Sequence, residues 1–160
     1  MPKTYEPIAT YTVSGSSTTT YTFSSIPGTY TDLVLIASGS LTTDADVSIR
    51  VNGDTAVNYS RTRMWASTAT ASDGGTGDYF SGTVWYTSTS NNNAIFHFMN
   101  YSNTTTYKSV LSRSNSTNTM VNSQISMWKS TAAITSITVG VFSAIYSAGS
   151  TFTLYGIKAA

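Results

Sequence analysis

Apolar and polar residues alternate with period two along almost the whole chain, and this pattern limits the fold more than any other feature of the sequence. Ile8, Thr10 and Thr12 interleave with Ala9, Tyr11 and Val13, and Tyr21 and Phe23 alternate with Thr and Ser. Val47, Ile49 and Val51 fall on one side of a segment that carries Ser48 and Arg50 on the other. Tyr59, Arg61, Arg63 and Trp65 alternate with Asn58, Ser60, Thr62 and Met64, and Ala94, Phe96, Phe98 and Asn100 oppose Ile95, His97, Met99 and Tyr101. Side chains repeat every two residues in a strand and every 3.6 in a helix, so each of these segments reads as a strand. No segment holds a sustained helical spacing, and a short helix within 64–72 is the one opening left.

Turn signals divide the strands. Pro27-Gly28 presets a turn, with Gly28 supplying a positive φ. Asn52-Gly53 matches a type I′ turn, which needs positive φ at both central residues, and predicts a hairpin with 57–65 as its return strand. Residues 66–78, ending in Asp73-Gly74-Gly75-Thr76-Gly77-Asp78, read as a long surface loop. Asp32 to Ser38 is a nearly continuous apolar run, expected of a strand covered on both faces or placed at a subunit contact. Later strands are expected over 79–88, 107–113, 120–129, 134–141 and 151–158. About ten strands at this spacing predict an all-β fold. The expected form is a two-sheet antiparallel β-sandwich of jelly-roll type, with an up-and-down barrel as the alternative. Residues 1–12 are expected as an N-terminal arm leading into the first strand, and 13–160 as a single sandwich domain.

Composition agrees with a folded domain and removes several functions. Ser and Thr make up about a third of the 160 residues and charged residues 9%, yet 40% are hydrophobic and Tyr occurs 11 times, unlike a disordered chain. The net charge is +1 with no basic run, so nucleic acid is not an expected partner. The longest apolar run is too short to span a membrane, and Met1 to Pro7 lacks the apolar core of a signal peptide. Synthesis and folding in a cytoplasm are expected. Sequons at Asn58, Asn100, Asn103 and Asn115 are what chance provides in a chain this rich in Asn, Ser and Thr. There is no cysteine, so the fold must be held by its core or by association.

The residues that carry chemistry are few. His97 is the only histidine; a Ser-His-Asp triad would need it together with an acid such as Asp32 or Asp54, and no G-x-S-x-G surrounds any serine. Asp44 with Asp46, or Asp73 with Asp78, supply oxygens for calcium but match no known loop pattern. Gly74-Gly75-Thr76-Gly77 lacks the Lys-Ser/Thr of a phosphate loop. No catalytic, cofactor or metal residue is therefore assigned, and no enzyme is expected. Trp65, Trp85 and Trp128, with Tyr79, Tyr86 and Tyr101, are candidate stacking surfaces for sugars or a protein, although a sandwich core needs aromatics too. Arg61 and Arg63 share a strand face with Tyr59 and Trp65, the composition of an interface or of cation–π packing within one subunit.

Three stretches then stand together in order and spacing. They are Phe23-Ser24-Ser25-Ile26-Pro27-Gly28-Thr29-Tyr30-Thr31-Asp32-Leu33; Arg50-Val51-Asn52-Gly53-Asp54 with Asn58-Tyr59-Ser60; and Ile134-Thr135-Ser136-Ile137 with Gly149-Ser150 and Leu154-Tyr155-Gly156-Ile157. Over nearly its whole length the chain resembles a group of small β-rich virion proteins of tailed bacteriophages, notably phages of cyanobacteria and other aquatic bacteria. The resemblance implies a virion structural protein with no catalytic residues. The expected role is a capsid decoration, or cement, protein that binds and stabilises the assembled shell. A carbohydrate- or receptor-binding module of a tail or capsid fibre is the alternative. The partners so implied are the major capsid protein and further copies of the chain as a homotrimer, with a host-surface glycan under the alternative, and the location is the virion. Expected contact residues are Pro2, Lys3, Tyr5 and Pro7 of the arm, with Arg61, Arg63 and Trp65.

Overall fold

A computed structural model describes residues 4–15, 17–66, 70–80, 86–87, 90–116 and 120–158, with side chains omitted at 86, 87 and 116. Twelve strands are present among them: β1 (Tyr5–Thr12), β2 (Thr20–Phe23), β3 (Asp32–Gly39), β4 (Ala45–Val51), β5 (Tyr59–Ala66), β6 (Thr70–Gly77), β7 (Tyr86–Thr87), β8 (Asn92–Met99), β9 (Lys108–Ser116), β10 (Met120–Trp128), β11 (Ile137–Val141) and β12 (Thr151–Ile157). They form an eight-stranded sheet in the order β1-β12-β3-β8-β9-β10-β5-β6 and a four-stranded sheet in the order β2-β11-β4-β7. Every described pairing is antiparallel.

The order is that of a jelly roll with two insertions. β1-β12-β3-β8 and β2-β11-β4-β7 are the two four-stranded halves, with the chain passing from one to the other as two Greek keys require. The β5–β6 hairpin is inserted between β4 and β7, and the β9–β10 hairpin between β8 and β11. The inserted hairpins pair with one another through β10 and β5 and extend the larger sheet from β8 outward.

The alternation read from the sequence packs the core. Leu33, Leu35 and Ala37 of β3, Phe96 and Phe98 of β8, and Phe152 and Leu154 of β12 are buried against Val47, Ile49 and Val51 of β4 and Ile137 and Val139 of β11. Each large side chain among them contributes about 1.5–3 kcal/mol by leaving water. β3 lies inside its sheet, between β12 and β8. The second face of its apolar run, Val34 and Ile36, turns away from the smaller sheet, with Val34 buried and Ile36 37% exposed.

Several local expectations are corrected. The expected arm enters strand β1 at Tyr5, ahead of the alternation from Ile8, and pairs with β12 by Tyr5 against Ile157 and Thr12 against Thr151. Asn52 and Gly53 do take positive φ, 52° and 63°. The turn nevertheless joins strands of different sheets, because β4 pairs with β11 and β7 while β5 pairs with β10 and β6. Tertiary contacts direct this crossing. The Asn52 carboxamide accepts from Thr135 N at 2.8 Å and Ser136 N at 3.1 Å and donates to Ala133 O at 2.8 Å. At the earlier corner the left-handed residue is Ser25, φ 54°, rather than Gly28. Residues 70–77, expected inside a loop, pair with β5 along their whole length, which also replaces the short helix allowed within 64–72.

Candidate docking surface

The extension made by β9, β10, β5 and β6 has two faces, and apolar residues occur on both. In β10, Asn122, Gln124 and Ser126 are buried, whereas Val121 and Ile125 are 61% and 62% exposed. Directly opposed residues in an antiparallel pair share a face. Asn122, Gln124 and Ser126 oppose Trp65, Arg63 and Arg61 of β5, and Gln124 and Ser126 also oppose Ser112 and Val110 of β9. Beyond the core residues Tyr59, Val110 and Trp128, the inner face of the extension is thus mostly polar.

That inner face holds the arginines. Arg63 donates to both carboxylate oxygens of Asp73, Nε to Oδ1 at 2.7 Å and Nη2 to Oδ2 at 2.8 Å. Arg61 Nη2 lies 3.8 Å from the same carboxylate. The Arg63 guanidinium also sits 4.4 Å from the centre of the Trp65 ring. The hydrogen bond from Arg63, with the charges of both arginines, holds the Asp73 carboxyl below its usual range despite partial burial. Glycine gives the guanidinium room. Gly75 opposes Arg61, and a Cβ there would stand 3.3 Å from Arg61 Nη1. The Gly-rich segment accommodates a guanidinium rather than a phosphate.

The outer face exposes apolar side chains among serines and threonines and carries little charge. Ile36 and Ile95 oppose each other on β3 and β8, and Leu111 opposes Ile125 on β9 and β10. Met64 (62% exposed) opposes Ser123 and lies beside Val121. Arg113 is exposed among them, opposite Ile95 and Ser123. A groove of about 450 Å³ opens near the hairpin ends, lined by Met64, Trp65, Ala66, Thr70, Arg113, Ser114, Val121, Asn122 and Ser123. A shallower hollow of about 290 Å³ shares Arg113 and Ser114 with it and adds Asn93, Ile95 and Asn115.

The residues singled out in the sequence do not converge. Pro2 and Lys3 lie outside the described residues. Tyr5 and Pro7 are exposed on β1, with five strands between them and β5. Arg61 and Arg63 are engaged within the chain by Asp73, and Trp65 packs under Arg63 while lining the groove. Of the candidate stacking aromatics, Trp128 and Tyr101 are core. Trp128 Nε1 donates to Asp54 Oδ2 at 2.7 Å. Tyr79 is half-buried, 5.0 Å from Phe142; Trp85 and the Tyr86 side chain lie outside the described residues.

The acids are similarly occupied or scattered. His97 Nε2 is 2.8 Å from Asp32 Oδ2, whose other oxygen accepts from Asn100 N at 2.7 Å. Asp78 pairs with Arg50 at 2.9 Å, and Glu6 with Lys158 at 2.9 Å. Asp44 and Asp46 are exposed. No group of three or more potential metal ligands occurs among the described residues.

The outer-face residues Met64, Val121 and Ile125 escaped sequence reasoning. Alternation reveals two faces of a strand but not which one turns inward.

No protein-family model and no curated protein matches the chain. Solved structures similar to it include the alginate lyase Aly36B, with a TM-score of 0.34 at 12% identity over 80% of this chain and 68% of that one. Another is a double mutant of that lyase in complex with alginate tetrasaccharide, with a TM-score of 0.31 at 9% identity over 81% and 70% of the two chains.

Proposed function

We propose that this protein is a structural component of a phage virion, a capsid decoration protein that binds the assembled shell through the outer face of its larger sheet. The observation that carries the reading is the inversion of β10, which buries Asn122, Gln124 and Ser126 and exposes Val121 and Ile125. Exposed apolar surface next to a cleft favours docking against another protein. The low charge of the face suits a flat contact with a shell. A protein that binds assembled lattice and not free subunits stabilises the lattice by mass action. The resemblance of the sequence to phage virion proteins supports the same reading, and no catalytic step belongs to it.

The test is binding of the pure protein to assembled shells and to dissociated capsid subunits, with copy number counted on particles by imaging. The reading expects hundreds of copies per particle, preference for the assembled shell, and loss of binding in V121D/I125D. Equal binding to free subunits, or full occupancy by the double variant, overturns it.

A second reading, a glycan-binding module of a fibre, draws on the groove where Trp65 lies with Asn122, Ser123 and Arg113. Trp stacks on sugar rings, and amide and hydroxyl groups bond their hydroxyls. A few copies per particle, with sugar binding lost in Trp65→Ala, would favour it.

A further inference from the structure

The larger sheet ends differently at its two edges. β1 is blunted: Pro7 removes a backbone donor, the register shifts between Pro7 and Ala9, and Glu6 pairs with Lys158. Proline, a bulge and charge are the devices by which edge strands avoid pairing. β6 has neither proline nor bulge. It pairs with β5 through all eight residues, Thr70 to Gly77, without a register shift. It contains no proline, and its single charge, Asp73, is neutralised by Arg63 of the same chain. Thr70, Ser72, Gly74 and Thr76 are exposed, and among the described residues no strand lies beyond β6.

We propose that β6 is a self-association edge, pairing antiparallel with β6 of a second copy about a two-fold axis. An antiparallel edge is self-complementary under a two-fold operation, because the donors and acceptors of one copy meet those of the other in the same order. Gly74, Gly75 and Gly77 allow close approach of backbones. The neutralised Asp73 removes the repulsion that would otherwise oppose two identical strands. A ring built from β6 of one copy and β1 of the next would have to pair against Pro7 and the bulge, so the two-fold contact is favoured over the expected homotrimer. The pair joins the two larger sheets into one and sets the exposed Met64, Val121 and Ile125 of both copies on a continuous surface. The inference does not depend on which particle, if any, the protein decorates.

The chain has no cysteine, so a single introduced thiol reports only contacts between copies. Single variants Ser72→Cys, Gly74→Cys and Thr76→Cys on β6, and Thr10→Cys on β1, are oxidised at high protein concentration. The mass of the unmodified protein is followed by sedimentation over a range of concentrations. The expected result is a concentration-dependent dimer, crosslinking by at least one β6 cysteine, and none by Thr10→Cys. Ser72→Lys/Thr76→Lys should shift the dimer to monomer with its strand circular dichroism retained. Should that variant fail to fold, concentration-dependent hydrogen-exchange protection at 70–77 in the unmodified protein provides the same reading. A monomer at all concentrations, a trimer, crosslinking through Thr10→Cys, or unchanged exchange at 70–77 overturns the proposal. Failure to bind shells leaves this result untouched, which separates the two claims.

Discussion

Single residues show where the fold has no slack. Gly156 lies on the inner face of β12, and an added Cβ would run into the Tyr30 ring. The ring is held there by its hydroxyl, which donates to Glu6. Gly156→Ala should therefore lower stability by about 1–3 kcal/mol, the usual cost of overpacking, as read from urea unfolding; an unchanged midpoint would mean that Tyr30 packs elsewhere. Asp54 is a second fixed point. Burial pushes its pKa up, but hydrogen bonds from Asn58, Trp128 and Ala56 outweigh burial and hold it below the usual value. Its backbone oxygen and that of Val51 both face the Tyr59 hydroxyl, and burial raises the Tyr59 pKa to about 12.

At the scale of elements, the β5–β6 hairpin adds an ionic contact to the apolar packing that holds the rest of the fold. Asp73 of β6 is paired with Arg63 of β5, and its folded pKa is depressed. A depressed carboxylate contributes stability that is present above its unfolded pKa, about 3.9, and is lost as pH falls through the folded value. Acid should accordingly weaken this hairpin. Between pH 5 and pH 3 the unfolding midpoint of the native chain should fall further than that of Asp73→Asn, which has no proton to gain. Parallel loss in the two proteins would show that the pair contributes nothing, as many exposed pairs do.

At the scale of the whole molecule, strand pairing spans the chain. β1 pairs with β12 and β2 with β11, so the ends of the sequence must meet before either sheet is complete. Non-local pairing slows folding through the entropy of loop closure. Refolding from urea should take on the order of milliseconds to seconds, observable by stopped-flow fluorescence of the buried Trp128. Full recovery in microseconds would contradict this topology.

The sequence by itself determined the all-β class, the positions of most strands, the positive φ of Asn52-Gly53 and the apolar β3. These follow from local physics: period-two alternation, β-branched Thr and Val, and turn residues act over a few neighbours. Tertiary structure alone decided what the strands pair with. Asn52-Gly53 has the chemistry of a hairpin, yet the clamp of Asn52 on residues 133–136 sends the chain into the other sheet. Thr70 to Gly77 reads as a loop, yet it forms a strand along β5, where Arg63 bonds Asp73 and the Arg61 guanidinium lies over Gly75. β10 declares two faces, but only its neighbours decide that Asn122 and Gln124 turn inward and Val121 and Ile125 outward. Which face is buried depends on what the rest of the chain places against it, and alternation is the same in both cases.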